Sequence, residues 1–138
     1  MKCLLSLCLV LFCTSAAVGE KPKYPPLPEK VKMAKTVYLE NQASDTAVFG
    51  HLYQALTAWG RWKIVGEPSQ ADLRLVLTRT SPEGKRNLIT QWWYLMLKER
   101  DSDNPLLYIS ADIAMGRAVS VARLLVKKMR ERIERAAE

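Results

Sequence analysis

From Thr36 onward the chain switches between two hydrophobic periods, and the order of those switches leaves few folds open. Thr36–Asn41 (TVYLEN) sets Val37 and Leu39 on one side and Tyr38 and Glu40 on the other, the period of a half-buried strand. Asn41–Asp45 (NQASD) follows as a loop ending in helix-capping residues. Val48, Phe49, Leu52, Ala55, Leu56 and Trp59 then recur at helical spacing, the apolar stripe of a helix about fourteen residues long. Gly60 stands just past the last apolar position, where a helix commonly stops.

The strand period then returns. Trp62–Val65 reads as a short second strand and Gly66–Gln70 as a turn-rich break. Leu73, Leu75 and Leu77 alternate with Arg74, Val76 and Thr78 as a third strand. Ser81–Arg86 carries Pro and Gly and turns the chain. Leu88–Lys98 (LITQWWYLMLK) is the fourth and longest strand, Arg100–Pro105 a polar turn, and Leu106–Ser110 a fifth strand. Asp112 is placed to cap a last helix with Ala118, Ala122, Leu125, Met129 and Ile133 inward.

The order is β-α-β-β-β-β-α. A strand–helix–strand passage favours parallel first and second strands, and the short later connections predict antiparallel hairpins. The expected fold is α+β: a two-layer sandwich, with a mixed five-stranded sheet and two helices on one face.

Upstream, Lys2, the apolar run Leu4–Phe12 and the small-residue stretch Thr14–Gly19 make the three-part pattern of a secretory signal peptide. The run is too short to span a bilayer, which takes roughly 20 apolar residues. Residues 1–19 are therefore expected to be cleaved before Glu20, with a cut after Ala17 as the alternative. The three cysteines, Cys3, Cys8 and Cys13, leave with the signal peptide, so no disulfide and no thiolate site is expected in the remainder. Phe12 precedes Cys13 and Leu7 precedes Cys8, whereas bacterial lipidation takes a small residue at that position. Residues 20–33 hold Pro22, Pro25, Pro26 and Pro28 and read as an extended, solvated linker. Residues 34–138 are one α+β domain, of a periplasmic or secreted protein.

The chemistry-bearing patterns are few. The sequence has no Gly-rich phosphate loop, no GxSxG, no HExxH and no calcium loop. A single histidine, His51, cannot build a multi-histidine metal centre, and it falls off the apolar stripe of the first helix. Asp101 and Asp103 share a turn, where carboxylates are ordinarily solvated turn formers. No enzyme activity, cofactor or metal is expected on these grounds. The net charge of +7 is concentrated at the ends. Residues 20–35 carry five lysines against two glutamates, and residues 115–138 carry seven basic residues against three acidic ones. Lys127, Lys128, Arg130, Arg132 and Arg135 on the last helix are candidates for an anionic surface, or form a solvated helix face. The sheet does not interleave basic with aromatic residues, so nucleic acid is not an expected partner.

The aromatic residues are the most informative. The fourth strand is apolar on both faces, with Trp93, Leu95 and Leu97 on one and Trp92, Tyr94 and Met96 on the other. Two helices can cover only one side. Strand parity adds Tyr38, Arg74 and Val76 to the open face, with Tyr108 a further candidate. Tyr38, Arg74, Trp92, Tyr94 and Met96 thus form the candidate partner-binding patch, of the residue types that dominate docking surfaces. The alternatives are that loops or residues 20–33 fold over the patch, or that its rings stack on sugars.

Lys35–Leu77 resembles a recurring pattern in exported bacterial α/β domains. Its pieces are a strand ending in Glu-Asn, a helix ending LTAWG, the short strand WKIV, and Ala71-Asp72 followed by an alternating strand. The stretch WYLMLKERDSDNPLLY is similar to paired strands around a short acidic turn in the same group. The group comprises the amino-terminal domain of the Tol–Pal translocation protein, curli-assembly lipoproteins and penicillin-binding-protein activator lipoproteins. That resemblance implies a non-catalytic envelope module that binds an envelope protein or a second copy of itself. The alternative reading is a small exported ligand-binding protein or hydrolase with a pocket between sheet and loops.

Overall fold

The computed structural model describes residues 25–80, 90–114 and 117–136. Five strands form one sheet: β1 (Thr36–Asn41), β2 (Lys63–Val65), β3 (Leu73–Thr80), β4 (Thr90–Glu99) and β5 (Pro105–Ala114). Their spatial order is β2-β1-β3-β4-β5. The helices are α1 (Glu29–Met33), α2 (Thr46–Trp59) and α3 (Ala118–Glu134). This is the expected α+β layering with a mixed sheet. The signal-peptide assignment and the Ser81–Arg86 turn lie outside the described residues.

Local sequence fixes the ends of α2. The Asp45 carboxylate accepts a hydrogen bond from Val48 N at 2.9 Å, satisfying one of the amides that a helix start leaves unpaired. Gly60 closes the helix with φ of 70°, a conformation that costs a residue with a Cβ. The stripe Val48, Leu52 and Leu56 is buried. It joins Val121, Ala122, Leu125, Met129 and Ile133 of α3 over the odd-numbered strand positions Val37, Leu39, Leu73, Leu75, Leu77, Trp93, Leu95 and Leu97. Alternation along each strand is what collects these side chains on one face.

Three expectations need correction. First, β2 and β3 form no hairpin. β1 pairs in parallel with both, with Val37 opposite Ile64 on one side and Leu73 on the other. The Asp72 carboxylate accepts from Lys35 N at 2.8 Å and Thr36 N at 3.0 Å. Asp72 N in turn donates to Thr36 Oγ1 at 2.9 Å. The chain is thereby pinned to the start of β1 and enters β3 beside it, running the same way. Second, residues 20–33 are not wholly an extended, solvated spacer. Glu29–Met33 is helical, Leu27 is buried and Val31 is 0% exposed, both within the main core. Pro28 stands just before the first turn, where its missing amide has no intrahelical partner to lose. Leu27 and Val31, four apart, fall on one side. Third, Asp112 caps nothing. It lies within β5 opposite Trp92, because pairing with β4 runs on to Ala114, and α3 begins only after Arg117.

Candidate functional site

Both long helices pack on one side of the sheet, and Arg74, Val76, Trp92, Tyr94, Met96 and Tyr108 face the other. Trp92 is 48% exposed there and Tyr108 52%, whereas Trp93, one residue along, is 3% exposed beneath the helices. Tyr94 and Met96 are half-buried on the same face as Trp92. The Tyr94 and Tyr108 rings lie 5.3 Å apart at 33°. Partial burial, reinforced by the neighbouring Tyr94 phenol, pushes the Tyr108 phenol above its usual range. Thr80 Oγ1 donates to Tyr94 Oη at 3.4 Å. The centre of the face is closed: Val76, flanked by Glu40 on β1 and Met96 on β4, is 0% exposed.

Of the five residues proposed for this patch, Trp92, Tyr94 and Met96 form its aromatic end on β4. Tyr38 is half-buried on β1, two strands away. Arg74 is committed elsewhere. Its Nη1 reaches Glu40 Oε2 at 3.4 Å, and its Nη2 donates to Ser102 O at 3.2 Å and to Asp103 Oδ1 at 3.1 Å. Arg74 therefore ties the β4–β5 turn to the sheet instead of offering a free guanidinium. This also gives the turn carboxylate Asp103 a structural role, and Lys98 Nζ stands 3.9 Å from it. Tyr108 belongs with Trp92 and Tyr94. Continuing the alternation that buries Leu107 and Ile109 is the signal that places it there.

The basic residues of α3 are mostly spent within the fold. Lys127 and Arg130 pair one turn on, with Glu131 at 3.9 Å and Glu134 at 2.7 Å. Lys128 Nζ donates to Ser110 O at 2.8 Å. Arg132 donates to the Pro25 carbonyl. Arg135 joins Lys128 and Arg132 in lining a groove of about 360 Å³ beside β5.

A second, wider groove of about 550 Å³ lies between α1 and the β4–β5 turn, lined among others by Lys30, Met33, Asp72, Leu73, Glu99 and Arg100. Four of its charged side chains are paired, Lys30 with Glu99 at 2.6 Å and Arg100 with Asp101 at 3.2 Å, and Lys35 also lines it. The two backbone amides and the Thr36 hydroxyl that surround Asp72 hold its carboxyl below the usual carboxylate range. Asp72 is thus occupied in holding β1 and β3 together. His51 is half-buried on α2. Among the described residues no group of three or more His, Cys, Asp or Glu side chains is placed to hold a metal ion, and no helix is long and apolar enough to cross a membrane.

No family model matches the chain, and no curated protein does. Solved structures with a similar trace do exist. One is a PelC dodecamer from Paraburkholderia phytofirmans, 14% identical, covering 75% of this chain and 89% of that one with a TM-score of 0.44. Another is an uncharacterized lipoprotein B from Nitrosomonas europaea, 12% identical, covering 81% and 78% with a TM-score of 0.40. A third is a minor lipoprotein from Acinetobacter baumannii, 17% identical, covering 75% and 93% with a TM-score of 0.38. At these identities the likeness is one of chain trace.

Proposed function

We propose that the chain is an exported, non-catalytic envelope module that holds a protein partner, or a second copy of itself, on the helix-free face of its sheet. One observation carries the reading: Trp92 and Tyr108 stand about half exposed on neighbouring strands, with Tyr94 between them and Met96 opposite Tyr108. Large rings held on a rigid sheet lose little conformational freedom on docking and bury much apolar area, which is why Trp and Tyr dominate the energetics of protein contacts. Export is read from the signal-peptide pattern of residues 1–19. The enzyme reading gains little from the wider groove, where Lys30 and Arg100 are paired with Glu99 and Asp101 and Asp72 is held by backbone amides.

Sedimentation of the full chain across a concentration series, together with crosslinking in the envelope, tests the assignment. Trp92→Ala and Tyr94→Ala are expected to weaken self-association or partner crosslinking while leaving the circular dichroism spectrum unchanged and lowering the unfolding midpoint far less than Trp93→Ala does. Unaltered association in both variants would remove the face from the binding role.

A further inference from the structure

We infer that the outer edge of β5, with the groove between it and α3, is a second docking site, and that its occupant is an extended, carboxylate-bearing polypeptide segment added as a sixth strand. The direction of the backbone groups follows from the ladder. Gln42 N donates to Leu77 O, so the odd-numbered residues of β3 turn their amides and carbonyls toward β1. Alternation then turns the even-numbered residues of β3 toward β4, and the register Val76–Met96 and Thr78–Tyr94 turns the odd-numbered residues of β4 toward β5. Leu95 and Trp93 stand opposite Ile109 and Ala111. The amides and carbonyls of Tyr108, Ser110 and Asp112 therefore point away from the sheet. The contact from Lys128 Nζ to Ser110 O, made by a side chain from beyond the last strand, agrees with that direction.

Among the described residues β5 has no strand on its outer side. An open row of backbone groups is a template for strand addition, in which backbone hydrogen bonds supply affinity and flanking side chains supply selectivity. The flank here is cationic. Among the described residues, Lys128, Arg132 and Arg135 line the groove with one acid, Glu131, which is already paired with Lys127. Lys128 rests on a main-chain carbonyl, that of Ser110. Carboxylates are stronger acceptors for its ammonium. An arriving acidic strand gives Lys128 a better partner and frees the Ser110 carbonyl for the new ladder. A basic segment meets like charge instead, at Lys128 and Arg135.

The test uses the full chain and three synthetic ten-residue probes: an alternating Val/Glu peptide, its Val/Lys counterpart, and the Val/Glu peptide N-methylated at alternate amides. Amide NMR titration is expected to show saturable shifts at Tyr108, Ser110 and Asp112 with the Val/Glu probe. Binding is expected to be at least about tenfold weaker for the Val/Lys probe and for the N-methylated one. Arg135→Glu, on an exposed site, should weaken the acidic probe by about tenfold. Ser110→Pro, which removes an outward amide that serves no ladder bond, should abolish binding with an unchanged far-ultraviolet spectrum. Trp92→Ala should leave probe binding as it is, so this site and the aromatic face stand or fall separately. Absence of saturation below about 1 mM, equal binding of the N-methylated probe, or shifts centred on Trp92 and Tyr94 would each overturn the inference.

Discussion

Trp92 and Trp93 are adjacent in sequence and differ only in which side of β4 they project from, so truncating each in turn isolates the effect of face. Trp93 is 3% exposed, lies in the core cluster, and has the Arg79 guanidinium 5.6 Å above its ring. Replacing a buried Trp with Ala removes the transfer energy of the ring and leaves a cavity, together costing about 3–5 kcal/mol. Against a total stability of about 5–15 kcal/mol, that is a large share. A domain of this size loses roughly 4–8 °C of Tm per kcal/mol, so Trp93→Ala should lower Tm by on the order of 12–40 °C or unfold the chain. Trp93→Phe, which keeps a ring in place, supplies a graded variant that stays folded. Trp92 already meets water over 48% of its surface, and its truncation forgoes only part of the burial energy, about 1 kcal/mol or less. Urea denaturation followed by circular dichroism reads both costs. Equal losses, or a larger loss for Trp92→Ala, would refute the assignment of the two rings to opposite faces.

Two further outcomes follow from the core and from β1. Val31→Ala should cost about 2 kcal/mol in urea denaturation, because Val31 is 0% exposed within the main core, whereas a solvated linker residue would cost nothing. Asp72 donors favour its ionised form, so its contribution is present above pH ~4 and is lost as pH falls through the lowered folded value. Asp72→Asn should therefore destabilise the chain at neutral pH by about 1 kcal/mol, a figure discounted for solvent exposure, and should flatten the acid limb of a stability–pH titration between pH ~4 and the lowered value.

Most of the layer structure was legible because each of its signals is local. The bounds of β1 and α2 follow from the switch of period at Asn41–Asp45 and from Gly60, and the parity of Trp92 against Trp93 follows from the alternation of a single strand. What the sequence hid was non-local or set by competition. Nothing in WKIV says on which side of β1 the next strand will lie; three hydrogen bonds joining Asp72 to the start of β1 decide it. The prolines of residues 20–33 obscured the pair Leu27 and Val31, whose burial depends on a core assembled from elsewhere in the chain. Asp112 has the chemistry of a helix cap, yet β4 is long enough to keep it in a ladder. Arg74 was correctly placed by parity. Its engagement by Asp103 requires a turn to fold back, which alternation does not encode.

The most direct test of a sheet clothed on one side only is hydroxyl-radical footprinting of the monomeric chain, read residue by residue at its rings. Trp92 and Tyr108 should oxidise rapidly while Trp93 and Trp62, both nearly buried, stay protected. Protection of Trp92 to the level of Trp93 in a monomer would mean that something covers the second face, and the docking surface would be lost with it.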